Sequence, residues 1–134
     1  MLVAIPVIKA GNEYFVSPHF GKALYFAIVE VSEKNYRLVN IVENKYAAMP
    51  SGGGKGSAIA EMLASRGVNA VLSLEVGSGA FNHLLRYGIK VFYIPLSKVS
   101  RPGGRGAPIV PLSKAIEMLI NGEVEEGTSP REID

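Results

Sequence analysis

Residues 69–94 read NAVLSLEVGSGAFNHLLRYGIKVFYI. The run at 69–74, NAVLSL, is short and nearly all apolar, as in a strand buried on both faces. The period then changes. Phe81, Leu84 and Leu85 recur at helical spacing, and Gly88 closes the helix. IKVFYI, 89–94, is another buried strand. A strand, a helix and a strand joined by such short turns form a βα unit of a parallel sheet.

The flanks extend this unit. On its N-terminal side a helix spans roughly 55–66, with Ile59, Met62 and Leu63 inward and Gly67 as its stop. Before it stand three strand-like runs: LVAIPVI at 2–8, LYFAIVEV at 24–31 and RLVNIVE at 37–43. The polar connection SEKNY, with its turn-forming Asn35, makes the second and third runs a hairpin. On the C-terminal side a Pro/Gly-rich segment, 95–111, leads to a helix with Leu112, Ala115, Ile116 and Leu119 on one face. Asn121 and Gly122 end it. The polar remainder, 123–134, is expected to fray as a tail.

The order βββαβαβα predicts an α/β fold, a single domain over 1–122. Its mixed five-stranded sheet has spatial order 3-2-1-4-5, with helices on both faces, the ribonuclease-H-like three-layer layout. Right-handed crossovers place the fourth strand beside the first. The carboxyl ends of strands one, four and five then share an edge, where open α/β sheets bind ligands. Loops 8–22, 75–78 and 95–110 are expected there.

Composition narrows the function. Of 134 residues, 48% are hydrophobic, enough for a substantial core. A net charge of +2 is too mild to imply nucleic acid. No apolar run has the length of a membrane helix. The opening MLVAIPVIKAGNEYF lacks a signal peptide's basic region and cleavage site, so a cytoplasmic location is expected. The absence of cysteine removes thiolate metal sites and cysteine nucleophiles. Histidine, carboxylate, thioether and backbone groups remain as metal donors.

Three motifs invite enzymatic readings, and each fails on spacing. GGGKGS, 52–57, is not a P-loop: Met49 stands where its first glycine belongs, and Gly56 replaces the hydroxyl that holds magnesium. GSGAFN, 77–82, puts Asn82 at the third glycine of a dinucleotide fingerprint, and Pro95, Leu96 and Ser97 lie where its acidic residue belongs. A two-metal nuclease needs several carboxylates, and Glu75 alone is placed at the edge. The physical chemistry survives the failed motifs. Gly52, Gly53 and Gly54 precede a helix N-terminus and Lys55 adds charge, which suits an anion; a flexible linker has the same composition. Gly77 opens a second helix at the same edge. Of the two histidines, His83 lies away from the helix's apolar face. His19, in SPHFG, is constrained by Pro18 and Gly21. It is either an exposed turn residue or a ligand at the edge.

Together VSPHFGKA (16–23), GGGKG (52–56), GVNAVLS (67–73), GSGAFNHLLRYGIKVF (77–92) and a closing helix resemble the dinitrogenase iron-molybdenum cofactor biosynthesis family, the nitrogenase accessory domains like NifX and the C-terminal part of NifB. The resemblance covers about 1–94 and, more loosely, 111–121. It implies binding or carriage of an iron-sulfur or iron-molybdenum cofactor precursor. His19 would be the metal-facing histidine, Gly52, Gly53 and Gly54 the glycine loop, and Gly77 and Phe81 the opening of the second helix. The segment 95–110 is longer than is usual in the family and adds Arg101 and Arg105. Residues 100–108 are expected to be mobile, and are either a lid near His19 or a solvated linker with no ligand role. The expectation is therefore a small non-catalytic carrier of an anionic ligand, with a possible protein partner in cofactor assembly. A protein-interaction module without metal and a binder of phosphate-bearing metabolites are the alternatives.

Overall fold

A computed structural model describes residues 1–50, 52–104 and 108–133. Its strands are β1 (Leu2–Ala10), β2 (Glu13–Val16), β3 (Tyr25–Ser32), β4 (Asn35–Glu43), β5 (Ala70–Ser73), β6 (Lys90–Tyr93) and β7 (Glu125–Glu126). Its helices are α1 (Lys55–Ser65), α2 (Ser78–Arg86) and α3 (Leu112–Ile120). The sheet has seven strands, not five, in the order β4-β3-β1-β5-β6-β7, with β2 paired to β1. The adjacency expected for the five strands holds, and β1 runs parallel to β5 through Val3↔Ala70 and Ala4↔Val71.

The two additional strands correct the reading of their segments. β2 forms from what was expected to be loop. Gly11, at φ 64, turns the chain so that Val7 pairs with Val16 and Ala10 with Glu13. Val7 also pairs with Tyr25, so β2 and β3 flank β1 on opposite sides. β7 lies in the segment expected to fray, and pairs antiparallel with β6 through Phe92↔Glu126 and Tyr93↔Glu125.

Two apolar layers enclose the sheet. Ile59, Ala60 and Leu63 of α1 and Ala80, Phe81 and Leu84 of α2 pack over Ala4, Phe26, Ile28, Val71 and Val91. On the other face Ala115, Ile116 and Met118 of α3 pack over Val3, Ile5, Ala27 and Leu72. Successive strand side chains point to opposite faces, so β1 and β5 are apolar on both. Leu85 is an exception to its expected role. It is 47% exposed, because Ala80, Phe81 and Leu84 already define the inward stripe of α2 and Leu85 lies about 100° further round.

Helices α1 and α2 approach very closely. A Cβ on Gly56 would lie 2.0 Å from the Gly79 carbonyl oxygen, so only glycine fits at this crossing. The crossing sits in the first turn of each helix. It brings both N-termini together beyond the carboxyl ends of β1 and β5.

Candidate functional site

Between these helix starts lies a cavity of about 480 Å³, walled by His19–Lys22, Gly52, Lys55, Gly56, Ile59, Glu75, Gly77–Ala80, Glu132 and Ile133. His19, Gly52, Lys55 and Gly77, all singled out in the sequence, thus meet here. Gly53 and Gly54 do not line it. Gly54 instead takes φ 84 as the residue preceding α1.

The His19 loop is fixed from two sides. The Ser17 hydroxyl, almost fully buried, accepts the His19 N–H at 3.2 Å and donates to the His19 carbonyl at 2.8 Å. Such a local bond mimics a backbone turn, and Pro18 inside it limits the loop's alternatives. From the end of β4, buried Asn44 donates to the carbonyls of Gly21 and Ala23 at 3.2 and 2.8 Å. Its side-chain Oδ1 accepts the Tyr46 N–H at 3.1 Å.

The ring of His19 meets Glu75 at the end of β5. Nδ1 lies 2.8 Å from Glu75 Oε1. The histidine side chain is 49% exposed and the glutamate 14%. The second carboxylate oxygen, Oε2, accepts the backbone N–H of Ile133 at 2.9 Å. A carboxylate on Nδ1 favours the tautomer with its proton there and leaves Nε2 as a lone-pair donor. The sequence offers Glu75 only as a candidate nuclease ligand. Its placement at the same edge as His19 was the available signal for this pairing.

Lys55 contributes charge in a constrained way. It is buried, and Nζ donates to the Ala47 carbonyl at 2.9 Å. Burial, assisted by the positive charge of Lys22, pushes its pKa below the ordinary lysine value. A Cβ on Gly21 would come within 3.2 Å of Lys55 Cε, so a larger residue there would require the lysine side chain to give by a few tenths of an ångström. In α2 the Ala80 and Phe81 amides donate to the Gly77 carbonyl at 3.1 and 3.0 Å, and the Ser78 and Gly79 amides ahead of them lie at the positive end of the dipole.

The described residues of the Pro/Gly segment lie elsewhere. Ser100 bridges Ile109, Phe15 bridges Pro111, and the Val16 N–H donates to the Val110 carbonyl, which ties the segment to β2. Arg101 does not line the cavity, and neither do residues 100–104 or 108. Arg105 lies outside the described residues. The cavity wall expected from this segment comes instead from Glu132 and Ile133, which sequence reasoning missed. His83 is also absent from the cavity wall.

Among the described residues no three side chains of His, Cys, Asp or Glu gather as a metal-ion cage. No helix among them is long and apolar enough to cross a membrane.

Comparison with known proteins adds the following. An uncharacterized protein of Methanocaldococcus jannaschii is 32% identical over 92 residues, 69% of this chain and 73% of the relative. The apo orange protein of Desulfovibrio gigas shares the fold with a TM-score of 0.75 and 24% identity, over 98% of this chain and 96% of that one. The structure of a NifB-like protein from Thermotoga superposes with a TM-score of 0.70 and 26% identity, over 99% and 98% of the two chains. Residues 1–101 match the family profile described as dinitrogenase iron-molybdenum cofactor, and the chain belongs to that family.

Proposed function

We propose that this protein is a small carrier, without catalysis of its own, for an anionic iron-sulfur or iron-molybdenum cofactor precursor. The precursor docks in the cavity between the starts of α1 and α2. The observation that carries this reading is the His19–Glu75 pair, 2.8 Å apart, which leaves Nε2 as a single oriented nitrogen donor at the cavity. A bare metal ion needs several protein ligands, whereas an assembled cluster brings its own sulfide ligands. One imidazole then suffices to anchor it through iron. Lys55 and the Ser78 and Gly79 amides at the start of α2 face the remaining negative charge. Family membership and the general likeness to a NifB-like structure support the same ligand class. The ribonuclease-H-like layout belongs to this reading as well.

The test is an anaerobic titration with a synthetic thiolate-ligated iron-sulfur cluster. His19→Ala is expected to weaken binding at least about tenfold, and His83→Ala to leave it unchanged. Equal binding by the two variants overturns the assignment.

A further inference from the structure

The segment beyond the family match ends as a strap across the site. Arg131 Nε and Nη2 donate to the Leu74 carbonyl at 2.9 and 2.6 Å, and Nη2 also donates to the Ile94 carbonyl at 2.7 Å. Its backbone exchanges two bonds with Val76, both 3.0 Å. The guanidinium lies 4.5 Å from the centre of the Tyr93 ring, and the Tyr93 hydroxyl donates to the Ser129 carbonyl at 2.8 Å. Just before the strap, Gly127 lies against Tyr93 so tightly that a Cβ would come within 2.6 Å of the ring. Charge-assisted bonds of this kind are roughly twice as strong as neutral ones, so the strap is fixed in one register.

We propose that this strap, residues 129–133, is a positioning element of the histidine site: Arg131 latches it across the ends of β5 and β6, and the Ile133 N–H fixes Glu75, which in turn fixes the His19 ring. The inference rests on the reading of the His19 cavity as the binding site. A carboxylate held at one oxygen can swing about its side-chain torsions. Held at both, by His19 on Oε1 and Ile133 on Oε2, it presents a fixed acceptor to Nδ1. The strap also sets the Glu132 carboxylate beside the start of α2, where Oε1 lies 3.4 Å from the position of a Gly77 Cβ. The family profile ends at residue 101, so this support comes from a part of the chain that the profile does not describe.

The experiment measures the ring-nitrogen NMR shifts of ¹⁵N-histidine in the full chain. Only two histidines are present, and His83→Ala assigns them. In the wild type, His19 should show one fixed tautomer with the proton on Nδ1. Ile133→Pro removes the N–H and Arg131→Met removes the latch; each should move His19 towards a mixed or reversed tautomer while His83 stays unchanged. Ile133→Ala keeps the N–H and should retain the wild-type signature. A wild-type His19 signature in Ile133→Pro overturns the proposal, and that variant decides alone if Arg131→Met does not fold. Titration of the same variants with the synthetic cluster separates the two readings. A changed tautomer with undiminished cluster affinity supports the strap and overturns the cavity as the binding site. An unchanged tautomer, with affinity lost only in His19→Ala, overturns the strap and supports the site.

Discussion

Gly56→Ala tests the helix crossing on which the cavity depends. The added methyl would meet backbone only: the Gly79 oxygen at 2.0 Å, the Gly79 carbonyl carbon at 2.4 Å and the Ala80 nitrogen at 2.7 Å. No side chain can rotate aside. Ordinary contact begins near 3.4 Å, so the helix starts must part by about 1.4 Å. Ile59, Leu63, Phe81 and Leu84 are fully or almost fully buried just behind the crossing and resist the parting. A gap of that size forfeits a quarter to half or more of each dispersion contact it opens. Overpacking of this kind costs about 1–3 kcal/mol, and a clash of backbone with backbone belongs at the upper end. The better helix propensity of alanine returns up to about 1 kcal/mol, leaving a net loss of about 2 kcal/mol. Urea unfolding at equilibrium measures it, with an unchanged m-value to show that the unfolded state is the same. Gly79→Ala is the control from the same crossing. Nothing lies within 4 Å of its Cβ position, so it should be neutral or slightly stabilising. A Gly56→Ala protein as stable as Gly79→Ala would refute the close-approach argument.

Three other outcomes are expected. Asn44→Ala strips partners from the Gly21 and Ala23 carbonyls and the Tyr46 N–H, and should cost about 2–3 kcal/mol in urea unfolding, with faster amide exchange in residues 17–24. Glu132→Gln removes a negative charge from the cavity wall and should tighten binding of the synthetic cluster severalfold at low salt, the gain shrinking as salt is added. Lys55 has a folded pKa below 10.5, so on approach to that value the unfolded chain holds more protons than the folded one. Stability should therefore rise with pH in that window, and Lys55→Met should flatten the rise. Burial raises the pKa of Tyr93, so from about pH 10 its linkage works in the opposite direction, and the comparison belongs below that point.

The parts of the fold legible in the sequence were those written in local periodicity. Gly67 and Gly88, at φ 77 and 76, end α1 and α2 where the pattern said they would. The order of five strands followed from the succession of elements and the handedness of crossovers. β2 was legible in principle, since Gly11-Asn12 between Ile8 and Tyr14 is a hairpin signal, but four residues carry little pattern. β7 and the strap were not legible. Their order comes from Arg131 reaching the Leu74 and Ile94 carbonyls, contacts 57 and 37 residues apart that no local period encodes. The site divides in the same way. Topology alone brought His19, Gly77 and Glu75 to one edge. The hydrogen bond between His19 and Glu75 depends on the Ser17 turn, and the closing wall depends on residues that read as an unstructured tail.

That closing wall has a consequence for synthesis. A ribosome delivers the His19 loop, both helix starts and Glu75 long before it delivers Glu132 and Ile133. The emerging polypeptide can fold its sheet in stages, since domains assemble as their elements leave the exit tunnel. Its cavity stays open on one side until residue 133 is free. Glu75 thereby lacks its second hydrogen-bond partner until translation has passed Ile133, and a chain truncated short of the strap carries the histidine without that support.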